Sequence, residues 1–225
     1  MVDLDWSSIP PAMPLLWRGA RVTLEITGAA LAGGMALGTL LAVFRVSPVR
    51  PLAWVSAAYV NAFRTIPLVM VLLWFFLIVP DVLVRTFSLA RSSDVRFTTA
   101  IVAFVLFEAA YFAEIIRAGI QSVSQGQLSA ALALGMRRGQ AMWLVILPQA
   151  FRNMIPLLLT QGIILFQDTS LVFVIGLLDF FGVADNVGRR DGRQAELILF
   201  AGAAYFVVSF VASRLVKLLQ DRLAT

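Results

Sequence analysis

The amino-acid sequence predicts an all-α membrane protein of five transmembrane helices, with one long loop between the third and the fourth. Three observations predict it. The 225 residues are 60% hydrophobic and 14% charged, with a mean hydropathy of +0.88, so the chain lacks the polar residues to cover itself in water. Five apolar runs approach the roughly 20 residues that a helix needs to cross the hydrocarbon core. Between two of these runs lie residues 120–152, with three arginines and no acid, too long for a passive turn and too regularly patterned for disorder.

The first span is expected at 22–46, where Ile26 to Phe44, ITGAALAGGMALGTLLAVF, carries no charge. Its glycines, Gly28, Gly33, Gly34 and Gly38, admit either close packing inside the chain or the approach of a helix from another chain. The second, 53–79, contains Arg64 and Pro67. Proline removes a helical hydrogen bond and disfavours helical geometry at the residue before it, here Ile66. The third, 98–119, holds Glu108, Glu114 and Arg117. At about 100° per residue Glu114 and Arg117 share a stripe suited to a structural ion pair, while Glu108 lies about 120° from Glu114. The fourth, 153–177, is interrupted by Gln167, Asp168, Thr169 and Ser170, and the fifth spans 195–216. Five crossings put the termini on opposite sides. The arginines of the 120–152 loop favour the cytoplasm for that loop, which leaves 1–21 as a periplasmic segment, 22–217 as the membrane domain and 218–225 as a cytoplasmic tail. The start, MVDLDWSSIPP, is acidic where a signal peptide is basic, so no cleaved leader is expected.

Composition also excludes function classes. Without cysteine or histidine there is no thiol nucleophile, no usual metal ligand and no usual general base, so neither a catalytic centre nor a metal site is expected. The single lysine, Lys217, follows Val216, so the Gly-Lys-Ser/Thr core of a phosphate-binding loop is absent and any ATP must be bound by another chain. The net charge of +5 is dispersed among spans and loops, against nucleic-acid binding.

An ionisable group at mid-membrane costs about 2.5–3.5 kcal/mol on insertion scales, so it faces the protein interior or an aqueous path. Gln167, Asp168, Thr169 and Ser170 are four consecutive hydrogen-bonding side chains between apolar runs, expensive unless something polar meets them. With Arg64, Glu108 and Gln161 they are the candidate substrate pathway. For a zwitterion with an acidic side chain, Arg64, Gln161 and Gln167 supply donors for carboxylates, and Asp168 receives the ammonium.

In the long loop, Gln127 to Leu134 is expected to be helical, Gly135 to end that helix, and Gln140 to Leu147 to form a second one before Pro148. Taken alone this is a helix pair at a membrane surface, either packed on the bundle or offered to a soluble partner. Its pattern resembles the cytoplasmic loop of permease subunits of bacterial ATP-binding-cassette importers for polar amino acids. That loop reads Glu-Ala-Ala, three residues, Gly, nine residues, Ile, one residue, Leu-Pro. Ala130, Ala131, Gly135, Leu147 and Pro148 fall on it, with Ser129 for the Glu and Val145 for the Ile. The resemblance extends through FRTIPLVMVLLWF, AEIIRAGIQSVSQGQ and ILPQAFRNMIPLLLTQGIILFQDTSLV, with Gln167 where most relatives carry Lys. Within the family, WSSIPPAMPLLWRG and FEAAYFAEIIRAGIQS are most similar to the smaller permease of glutamate/aspartate importers.

The resemblance implies a type I importer permease fold in the bacterial inner membrane, with residues 120–152 as the coupling loop. Ser129, Ala130, Ala131, Gly135, Arg137, Arg138, Leu147 and Pro148 would then meet an ATPase dimer that binds ATP and Mg. A second homologous permease, in a heterodimer rather than a homodimer, and a periplasmic substrate-binding protein complete the expected assembly. Two alternatives stay open: a permease of the same family for another polar amino acid such as glutamine, and an ATP-independent secondary transporter or channel.

Overall fold

The computed structural model describes residues 4–87 and 95–224, so residues 1–3 of the expected N-terminal segment and residue 225 of the tail lie outside it. The described residues are helical almost throughout: α1 Ile9–Val46, α2 Arg50–Thr65, α3 Leu68–Phe87, α4 Arg96–Gln121, α5 Gln125–Ala133, α6 Arg138–Ala141, α7 Leu147–Asp168, α8 Phe180–Asp191 and α9 Gln194–Ala224. Four stretches are long and apolar enough to cross a membrane, Trp6–Val46, Arg96–Gln121, Arg138–Ile175 and Gln194–Arg222. The pair α2 and α3 makes a fifth if counted as one bent span.

Several boundaries differ from expectation for local reasons. Helix α1 starts at Ile9, well before the expected 22, because Pro10 and Pro11 sit in its first turn, where the missing N–H groups have no intrahelical acceptor anyway. The second span is broken: Ile66 is extended (φ −98°, ψ 133°) ahead of Pro67, and α2 and α3 meet at a bend of 106°. The steric demand of proline on its predecessor is thus expressed in full. Pro148, expected to end a helix, does not. Met142–Ile146 form a π-turn in which Leu147 N–H reaches Met142 O, and Pro148 falls in the first turn of α7, so the helix passes through. After Asp168 the chain tightens into a 3-10 helix, Thr169–Ile175, closed by Gly176 at φ +74°. The expected tail from residue 218 continues α9 to Ala224.

The bundle is organised on α1 and α4, which share its most extensive packing. A Cβ on Gly34 would lie 3.0 Å from Glu108 Cβ, and one on Gly38 would lie 2.8 Å from Phe112 Cβ and 2.9 Å from Ala109 O. Gly33, Gly34 and Gly38 therefore serve packing within the chain, whereas a Cβ on Gly28 would meet nothing within 4 Å. Gly38→Leu must displace backbone as well as the Phe112 Cβ, an overpacking of about 1–3 kcal/mol or more. Its expected result is a large loss of folded, detergent-soluble protein and a lowered melting temperature, with Gly28→Ala unchanged; equal melting of the two would contradict this packing.

Around that seam, Ile26, Leu72, Phe104 and Leu165 form a buried cluster, and Ala42, Val60, Ala113 and Met154 a second. Ser56 Oγ donates to Leu41 O and Tyr59 Oη to Leu106 O, both at 2.7 Å, fixing α2 against α1 and α4. The outward surface is apolar, with Leu24, Val43, Leu77, Phe206 and Leu215 all exposed, the inverse of a water-soluble chain.

Helix α8 was not foreseen from the sequence. Asp179, fully buried, caps it by accepting from Gly182 N at 2.8 Å and Phe181 N at 3.2 Å, and it also accepts from Tyr205 Oη at 3.2 Å. Thr23 of α1 accepts from Phe180 N at 3.1 Å, so one cap ties together α1, α8 and α9. Its signal, an Asp ahead of Phe-Phe-Gly after a glycine-closed turn, is legible in retrospect.

Candidate functional site

The polar groups that the sequence places inside the spans gather at two connected places. In the first, Glu108 of α4 is fully buried and its Oε2 accepts from Gln161 Nε2 of α7 at 3.0 Å, while its Oε1 has no hydrogen-bond partner among the described residues. Asp168, half-buried at the end of α7, lies within electrostatic reach of Glu108. Thr169 is buried and turns its hydroxyl back to Phe166 O at 2.7 Å, so it closes the helix end. Gln167 is exposed and Ser170 half-buried. Glu108 is thus brought to Gln161 and within electrostatic reach of Asp168, whereas Gln167 is exposed.

The second place is centred on Glu114. Arg117 donates to it from Nε at 3.0 Å and from Nη2, Arg45 lies at 3.2 Å, and Arg64 at 3.7 Å. The pair expected from i, i+3 spacing is therefore the core of a cluster of three arginines around one carboxylate, and Arg117 also reaches Gln121. Arg45 was missed as a partner because only the packing of α1 against α4 brings it there. Arg64 lies over the Tyr111 ring, 5.7 Å from its centroid. Tyr111 in turn is within electrostatic reach of Arg64, Glu108 and Asp168, which joins the two places.

The loop folds into a compact knob. Ser124 caps α5 by accepting from Gly126 N at 3.2 Å. At its other end, Gly135 N–H reaches Leu132 O at 3.0 Å and Met136 N–H reaches Ala131 O at 3.1 Å, with Gly135 at φ +84°. This is the paired bonding of a glycine-terminated helix. Gln140 Oε1 then accepts from Arg137 N at 2.9 Å and starts α6. Ala131 and Ala141 are buried where the short helices meet, while Ser129, Ala130, Arg137, Arg138 and Pro148 are exposed and Leu147 is half-buried. Three large apolar side chains stand outward: Leu134 is 82% exposed, Trp143 72% and Leu144 68%. Exposed apolar side chains of this size are ones that a lipid surface or a partner chain can cover.

Nothing surrounds a Cβ added at Gly135, so substitution there acts through backbone strain alone, about 1–2 kcal/mol. Gly135→Val is expected to lower uptake per ATP hydrolysed several-fold. Gly135→Asn, which tolerates positive φ, should stay near the parent. Equal coupling in all three proteins would remove the knob's rigidity from the account.

A helical membrane bundle with polar groups inside it and a folded surface loop fits a transport subunit, and comparison with known proteins shows the family. The chain belongs to the family of binding-protein-dependent transport system inner membrane components, whose model matches residues 34–225. It is 60% identical over 224 residues to the glutamate/aspartate import permease protein GltK of Escherichia coli, with both chains covered in full. It is 34% identical over 222 residues to the arginine transport system permease protein ArtQ of Bacillus subtilis, covering 99% of this chain and 98% of that one. Among solved structures, an amino acid ABC transporter with histidines superposes with a TM-score of 0.86 at 32% identity, over 98% of this chain and 100% of that one. The methionine transporter MetNI, at 22% identity and a TM-score of 0.69, shares the fold. The protein is thus a multi-pass ABC permease of the inner membrane.

Proposed function

We propose that the chain is the membrane-spanning permease of an ATP-driven importer of glutamate and aspartate, and that it forms the translocation pathway with a second, homologous permease. The carrying observation is the identity of 60% along the full length of a glutamate/aspartate import permease. ATP and Mg are bound by a dimer of separate ATPase chains, which seat on the knob through Leu134, Trp143 and Leu144. Arg137 and Arg138, exposed beside them, add charge to that contact. The N-terminus is periplasmic and the C-terminus cytoplasmic, and a periplasmic binding protein delivers the amino acid to the outer face.

Within the membrane, Asp168 receives the ammonium of the solute, and the Glu108–Gln161 pair holds α4 and α7 in register behind it. Glu114, Arg117 and Arg45 form a structural ion cluster. The mechanism is a shift between two states of the bundle. Closure of the ATPase dimer draws the knobs together and favours the outward-open state, and hydrolysis releases it. The break at Ile66–Pro67 gives α2 and α3 a joint about which to move.

The test is uptake in cells lacking their own acidic amino-acid transport, supplied with this chain, its neighbouring permease and ATPase genes and the binding protein. Glutamate and aspartate accumulation is expected; accumulation of glutamine or arginine instead would replace the substrate assignment. Co-purification of two differently tagged copies of this chain would replace the heterodimer.

A further inference from the structure

We infer that the groove between α9 and the N-terminal half of α1 is a binding site for an anionic phospholipid, with acyl chain in the groove and phosphate on Arg18 and Arg21. Such a site needs only a chain that spans the membrane, whatever solute it carries.

Two apolar cavities line up along this groove. The first, of about 310 Å³, lies among Leu16, Trp17, Leu24, Phe180 and Val208. The hydroxyls in its wall are already engaged: Tyr205 donates to Asp179 at 3.2 Å, and Thr23 donates to Asp179 at 3.4 Å and accepts from Phe180 N. The second, of about 750 Å³, lies among Gly28, Leu31, Gly162 and Ala212, and Phe166 and Val208 wall both. Glycine opens it, since a Cβ on Gly28 would meet nothing within 4 Å and one on Gly162 only Leu31 at 3.6 Å. Among the described residues Ser209 is the one polar side chain in that wall, and its hydroxyl is buried. Walls of this kind repel a polar solute and accept a hydrocarbon chain.

A charged ledge at the mouth of the groove selects a lipid over other apolar occupants. Trp17 and Leu24 also wall a third cavity, of about 620 Å³, together with Arg18, Arg21 and Glu25. Arg21 stands 3.7 Å from Glu25, so two arginines against one acid leave an excess of one positive charge. The level is that of the headgroups. Ile26 to Phe44 carries no charge and rises about 28 Å as a helix, close to the roughly 30 Å of a hydrocarbon core. Glu25 and Arg21 therefore stand just beyond that core, with the exposed Trp17 a turn further out, where aromatic side chains mark the interface. A chain hung from Arg21 through one leaflet, about 15 Å, passes about ten residues of α1 and reaches Leu31 in the second cavity. Charge, level and apolar depth together match a phospholipid with one negative charge, such as phosphatidylglycerol, its phosphate held by the forked donors of arginine. A helix from another chain would fit the apolar depth but gives no reason for the ledge.

The experiment places the complex purified through a tag on this chain in nanodiscs that hold phosphatidylglycerol with a photoactivatable group in its acyl chain, and maps the adducts after illumination. Adducts are expected on α1 and α9 along the groove, with the exposed Leu77 of α3 as the reference for ordinary lipid contact. Unlabelled phosphatidylglycerol should compete for the groove about fivefold better than phosphatidylcholine, the factor for one net positive charge at an anionic surface, and no better at Leu77. Arg18→Gln combined with Arg21→Gln, both at exposed positions, should remove that advantage. Gly28→Leu, which fills the second cavity, should cut the groove adducts several-fold and spare those at Leu77. Absence of groove adducts in the parent complex, as when a helix of a second permease covers the groove, would overturn the inference. Equal competition by the two lipids, or undiminished adducts in Gly28→Leu, would overturn it as well.

Discussion

Replacing Leu134 and Trp143 together by glutamate is expected to abolish ATP-dependent uptake while the chain stays folded and inserted. Both side chains are outward, 82% and 72% exposed, so little internal packing is lost. The knob's shape comes from elsewhere: the Gly135 turn, the Gln140 bond to Arg137 N–H, and the buried Ala131 and Ala141. An aromatic or large aliphatic anchor at the centre of an interface is worth about 2 kcal/mol or more when removed, and charge placed against an apolar cleft adds to the loss. Two such changes predict a loss of ATPase association of at least about a thousandfold. The measurement is co-purification of the ATPase with the tagged permease, together with the melting temperature of the permease alone. Retention of the ATPase by the double variant would mean that the knob is not the handle.

Asp168→Asn carries the second large effect. The substitution keeps size and hydrogen bonding but removes the charge proposed to receive the solute's ammonium, a charge-assisted contact of about 1.5–3 kcal/mol. Uptake at saturating binding protein is expected to fall about 10- to 100-fold with assembly intact. Glu108→Gln has a different expected signature. Glu108 is fully buried and bonded to Gln161, so its conservative amide should preserve the α4–α7 contact and leave uptake within a few-fold of the parent. A loss in Glu108→Gln equal to that in Asp168→Asn would mean that both acids act on the solute.

Much of this was legible in the sequence, for reasons that differ by element. The break at Ile66 was legible because the cause is local: a proline acts on its own neighbour. The Glu114–Arg117 pair followed from helix periodicity, and the glycine-closed turn at Gly135 from the one residue type that takes positive φ without strain. The converse cases involve the rest of the fold. Arg45 and Arg64 reach Glu114 only because α1 and α2 pack on α4, and Glu108 finds Gln161 across 53 positions of sequence. Gln167 belonged by composition with Asp168 and Ser170, yet the turn from α7 into the 3-10 helix leaves it exposed and Thr169 buried. Pro148 misled in the opposite direction, because a π-turn just before it absorbs the register that a proline disturbs. The start of α1 also carries a local mark, since Pro10 and Pro11 belong in a first turn.

The most direct test of the account is transport in proteoliposomes holding this chain with its second permease and ATPase, with binding protein and labelled glutamate on one side. Glutamate is expected to accumulate only when ATP is supplied on the opposite side and the binding protein is present, and to stop when either is withheld. Accumulation by this chain alone, driven by a proton or sodium gradient without ATP, would contradict the account and make the buried acids parts of an ion-coupled carrier.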